Sequence, residues 1–90
     1  MEYQVKTSTK GLLIELHGNL VFEHYRDFKN ILSLMKEEKS GVELSLAKLQ
    51  NMDSAGAGLL KLAKDQAQEQ NISFSIVDVP DALRVFVSLI

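Results

Sequence analysis

Asp53 and Ser54 stand side by side in the 90-residue chain, followed at once by Ala55, Gly56, Ala57 and Gly58. An acid beside a hydroxyl offers a short menu of chemistry. Either oxygen can cap a helix by accepting backbone N–H groups that the first turn leaves unpaired. A serine hydroxyl at the positive end of a helix is also a place to put a phosphate. Gly56 and Gly58 remove side-chain bulk where a second surface could approach the backbone. Catalytic readings of the same residues fail. A nucleophile elbow requires Gly-x-Ser-x-Gly, and Met52 occupies the first glycine position with no acid–histidine pair in support. A dinucleotide turn requires a third glycine where Lys61 stands, and no Gly-Lys-Ser or Gly-Lys-Thr ends a phosphate loop. His17 and His24 lack further ligands at metal spacing, and cysteine is absent. No enzyme, metal or cofactor is expected.

The elements that position this turn are legible on both sides of it. Val42, Leu44 and Leu46 alternate with Glu43 and Ser45, the period of a half-buried strand. Leu59, Leu60, Ala63 and Ala67 recur at helical spacing. A strand-to-helix turn therefore presents Asp53 and Ser54, with Lys61 and Asp65 as an i, i+4 pair along the helix.

The rest of the chain repeats these patterns. Tyr3, Val5 and Thr7 alternate in a first strand, and Lys10-Gly11 marks a turn. Leu12, Ile14 and Leu16 follow in a second, more apolar strand that reads as central and is closed by Gly18-Asn19. A helix is expected from about Glu23, its stripe formed by Tyr25, Phe28, Leu32 and Met35 and widened by Ile31 and Leu34. The run from Lys36 to Lys39 reads as a solvated last turn before Ser40-Gly41. Ile72, Phe74 and Ile76 mark a fourth strand; Pro80 is placed at the first position of a last helix that uses Leu83, Phe86, Val87 and Ile90. The order is β-β-α-β-α-β-α, an α/β class in which a hairpin precedes two β-α-β units. It predicts a mixed four-stranded sheet with helices packed on it, in one domain spanning residues 1–90.

Met52-Asp53-Ser54-Ala55-Gly56-Ala57-Gly58-Leu59-Leu60 resembles the central motif of STAS domains, the sulfate-transporter and anti-sigma-factor-antagonist fold. The element order resembles that family over nearly the whole chain. In the antagonist branch the serine directly after the aspartate is phosphorylated by a partner kinase, which implies Ser54 as phosphoacceptor. The second hydroxyl position of the motif is Ala55. The resemblance further implies partner contacts at Asp53, Ser54, Ala55, Gly56, Gly58 and Lys61. The antagonist branch also carries Gly-Glu-Leu-Asp after the second strand, where this chain has Gly18-Asn19-Leu20-Val21. Asn19, Glu23 and His24 are the residues that can restore polarity there, and the member is a non-standard one.

Composition narrows the partners. A net charge of −2 with a pI near 5.6 lacks the basic face of a nucleic-acid binder. No apolar run reaches the roughly 18 residues of a membrane span, and the opening residues do not form a signal peptide. A soluble, cytoplasmic protein-interaction domain is expected, its partner being an anti-sigma factor or serine kinase. The alternative is a constitutive STAS subunit of a larger assembly such as a bacterial lipid-transport ABC system, without phospho-switching.

Overall fold

A computed structural model describes residues 1–90. Strands β1 (Glu2–Ser8) and β2 (Gly11–Leu20) form an antiparallel hairpin running in register from Glu2 opposite His17 to Ser8 opposite Gly11. The tight turn is Thr9-Lys10, and Gly11 opens β2 at φ 123°, a backbone angle that glycine adopts without strain. Helix α1 (Tyr25–Lys36) leads to β3 (Gly41–Met52), which pairs parallel with β2. Helix α2 (Ser54–Gln70) leads to β4 (Ser73–Val77), parallel to β3. A short α3 (Arg84–Val87) follows. The sheet order is β1-β2-β3-β4, the mixed four-stranded α/β arrangement expected, with β2 central.

Both crossovers step in the same direction along the sheet, so the right-handed rule places α1 and α2 on one face. Helix α2 packs against α1, α3, β3 and β4 and forms the middle of the helical layer. Ile14, Leu16, Val42, Leu44 and Leu46 meet Phe28, Ile31, Met35, Leu60, Ala63 and Ala67 in a single core. Each large aliphatic side chain so buried contributes about 1.5–3 kcal/mol. The other sheet face carries no helix and is polar. There Lys6 Nζ lies 3.0 Å from Glu15 Oε1, and the buried Ser45 hydroxyl donates to Asp78 Oδ2 at 3.1 Å.

Five local expectations are corrected. Gly18-Asn19 does not end β2; the strand continues to Leu20, with Gly18 at φ 83° and register shifts on both sides of it. Those irregularities change the burial rhythm of β3, where Leu46, Leu49 and Met52 are buried at intervals of three. The strand therefore runs to Met52 where strict alternation gives out at Leu46. Residues Phe22–His24 form a 3₁₀ turn, so α1 begins at Tyr25 rather than Glu23. Its buried stripe is Phe28, Ile31 and Met35, while Tyr25 and Leu34 are exposed at its flanks. Pro80 has ψ 144°, an extended residue preceding a 3₁₀ turn at Asp81–Leu83, not the first helical position.

Candidate functional site at the turn between β3 and α2

The turn is a single residue. Asp53 is extended at φ −116° and ψ −177°, and its Oδ1 accepts the Gly56 N–H at 2.8 Å. Its carbonyl accepts the Ala57 N–H at 3.1 Å, and its own N–H donates to the Leu20 carbonyl at 3.4 Å. Of the two candidate caps, the acid does the capping. Ser54 is the first helical residue and is exposed, its hydroxyl outside the cap hydrogen bond.

The two glycines have different roles. A Cβ on Gly56 would collide with the Leu20 carbonyl oxygen and stand 2.8 Å from Met52 Cγ, so only glycine lets α2 sit this close to the end of β2. A Cβ on Gly58 would meet nothing within 4 Å, so packing of helix on sheet does not require that glycine. Ala55, directly before Gly56, is half-buried, and Ala57 between the two glycines is buried. Lys61 is exposed on the next turn, its Nζ 3.0 Å from Asp65 Oδ2.

The neighbouring strand brings in the second group of candidates. Asn19 pairs in register with Asn51 and Leu20 with Met52, directly before the turn. The Asn19 carbonyl lies 2.7 Å from His24 Nδ1, which ties the 3₁₀ turn to the end of β2. Glu23 is exposed. Val21, where the family's usual acid would stand, is extended and half-buried. Asn19 and His24 are thus held beside the Asp53 strand end, and Glu23 faces solvent on the connecting turn.

Phe22 was not among the candidate residues and is the most exposed large apolar side chain of this edge, at 71 %. Its signal was its spacing, three residues before Tyr25, which continues the helical stripe one turn beyond the first core residue, Phe28. An apolar row that overruns the core must overhang solvent.

Chemistry elsewhere is sparse. His17 lines two open cavities of about 340 and 230 Å³, and its buried Nε2 has no hydrogen-bond partner. No group of three His, Asp or Glu side chains is placed to hold a metal ion. The one clearly shifted titration is that of Glu15, held below the usual carboxylate range first by its hydrogen bond with Lys6 and then by the charges of Lys6, His17 and Lys48, which together outweigh the opposing cost of burial. No helix is long and apolar enough to cross a membrane.

Residues 3–90 match the family model described as "Mlab, STAS domain". The chain belongs to the STAS domain family. Among solved structures this STAS domain is similar to the anti-sigma factor antagonist SpoIIAA in its unphosphorylated form, with a TM-score of 0.78 and 16 % identity over 98 % of this chain and 79 % of that one. It is also similar to part of Mglu, with a TM-score of 0.68 and 17 % identity over 87 % of this chain and 19 % of that one. At such identities these likenesses establish the fold. No protein of curated function matches the STAS domain in sequence.

Proposed function

We propose that this STAS domain is a cytoplasmic protein-docking module that engages its partner through the start of α2, and that phosphorylation of Ser54 releases the partner. The observation that carries this reading is the division of labour at the turn: Asp53 caps the helix and leaves the Ser54 hydroxyl exposed beside the open backbone at Gly58. A phosphate there adds roughly −1.5 to −2 charge next to Asp53. The helix terminus compensates by about 0.3–1 kcal/mol, so the fold survives. A partner packed over Gly58 must instead desolvate a dianion beside a carboxylate. A loss of about 3–4 kcal/mol at that contact weakens binding by roughly two to three orders of magnitude. Likeness to an anti-sigma factor antagonist makes an anti-sigma factor or serine kinase the natural partner class under this reading.

The second reading is constitutive docking, as a fixed subunit of a larger assembly such as a lipid-transport ABC system. Val21 in the place of the usual acid and the bare Phe22 ring favour it, since both make the edge more apolar than a kinase-facing surface needs. The description of the matching family model, which names Mlab, favours it too. Intact mass of the protein from its own host, before and after phosphatase and alongside Ser54→Ala, separates the two. A phosphate-sized shift removed by phosphatase and absent in Ser54→Ala is the expected result. A single unmodified species under all growth conditions, with partner recovery unchanged in Ser54→Asp, refutes the switch. Asp53→Asn keeps the cap and removes the charge, so weakened recovery in that variant with unchanged melting places Asp53 in the contact.

A further inference from the structure

The surface along the seam between α1 and α2, followed from the Ser54 end of α2, has two chemically distinct halves. Its registration is fixed by side-chain amides: Gln66 Nε2 donates to the Leu32 carbonyl and Gln70 Nε2 to the Met35 carbonyl, each at 2.8 Å and over sequence separations of 34 and 35. The helices run in the same direction, so Tyr25 comes level with the turn of α2 carrying Gly58, and Lys29 with the turn carrying Leu62. Gly58, Leu62 and Gln66 share one face of α2 at i, i+4 and i+8; Tyr25, Lys29, Leu32 and Lys36 share the facing side of α1.

The upper half is apolar. Phe22 and Tyr25 at the start of the first helical segment and Leu62 on α2 are 71, 40 and 47 % exposed, and Gly58 is bare one turn before Leu62. The lower half is basic. Lys29, Leu32, Ser33, Lys36 and Gln66 line a cavity of about 290 Å³. Neither lysine is in an ion pair, although the chain has more acids than bases. Lys29 Nζ instead stands 5.1 Å from the centre of the Tyr25 ring. Unneutralised lysines beside exposed apolar side chains complement a segment that is acidic and apolar on one face, which an amphipathic protein helix supplies.

We infer that this groove receives an amphipathic helix of the partner, with aliphatic side chains over Gly58 and Leu62 and two carboxylates on Lys29 and Lys36. Seven residues of α-helix separate the lysines by about 10 Å, so the acids on a helix lying along the groove stand at i and i+7. The inference rests on the docking role proposed above and deepens it by naming the partner's chemistry. It adds an apolar and a basic contact to the turn itself.

The test uses the full chain, tagged and recovered from its own host with the protein it holds, as parent, Lys29→Glu/Lys36→Glu, Lys29→Arg/Lys36→Arg and Asp53→Asn. Carbodiimide coupling, which joins lysine to carboxylate only when the two touch, is then mapped by peptide mass spectrometry. Expected are coupling of Lys29 and Lys36 to acids seven residues apart in one partner segment, at least tenfold lower recovery in the glutamate variant, and parental recovery in the arginine variant. Lys29 and Lys36 are exposed, Asp53→Asn keeps the cap, and coincident melting curves verify the fold. Full recovery in the glutamate variant, or coupling confined to other lysines, overturns the groove assignment while leaving the turn to be judged by Asp53→Asn. Sedimentation with anionic vesicles that the glutamate variant abolishes, without loss of protein partner, also overturns it in favour of lipid headgroups. Recovery of the chain alone in every form overturns both readings.

Discussion

Two glycines separated by one alanine behave as opposite kinds of residue. Gly56 is required by a carbonyl: any Cβ there pushes α2 off the end of β2, and forced overpacking costs about 1–3 kcal/mol. Gly58 is an unforced glycine in the first turns of an exposed helical face, where glycine is about 0.8–1 kcal/mol worse than alanine. Gly56→Ala is therefore expected to lower stability by about 1–3 kcal/mol, and Gly58→Ala to raise it by up to about 1 kcal/mol. Urea unfolding of both variants against the parent measures the pair, and the opposite signs are the point of the comparison. A stabilising alanine left unused at Gly58 is what a surface kept bare for a partner looks like. The neighbouring acid and serine were legible as a pair from their adjacency, but which of them caps the helix was not. That choice depends on the extended backbone at Asp53, and so on the Leu20 carbonyl from another strand. Phe22 was missed for a related reason: where the core ends along a helical stripe is a property of the packed layer, not of the stripe.

At the scale of elements, strict periodicity was a good guide and its breaks were the points of error. Strands with clean alternation, such as Leu12 to Leu16, and helical spacing at Leu59 to Ala67 led directly to β2 and α2. The second half of β3 was unreadable because shifts in its pairing with β2 turn a period of two into one of three. Pro80 was misplaced by one position because Asp78, at φ 55°, turns the chain to set its carboxylate on Ser45 before the helix can start. The hairpin makes a further prediction. The Lys6 ammonium lowers the Glu15 pKa in the fold relative to the unfolded chain, so the ionised form is favoured by folding. That contribution is fully present above the unfolded carboxylate pKa and is lost as pH falls through the lowered, folded one. Lys6→Ala is expected to move the Glu15 carboxyl titration upward in carbon-detected NMR and to flatten the acid limb of stability below about pH 4.5. An unmoved titration would show that the ion pair does not form in solution.

For the whole molecule, the important fact is that strand order along the sheet repeats strand order along the chain. Every β-α unit pairs with the element made just before it, and none waits for a later one to fill a gap. On a ribosome this turns assembly into accretion. Synthesis at about 5–20 residues per second takes roughly 5–20 s for the chain, whereas hairpins and helices form in microseconds. The β1–β2 edge is thus complete when β3 emerges, and the β3 edge is complete when β4 does. An arrest-peptide force profile is expected to show pulling in successive steps as α1–β3 and then α2–β4 leave the exit tunnel, rather than one late burst. The groove proposed above lies between the first two helices, so it is finished once α2 has left the exit tunnel, and it does not wait for the last strand to dock.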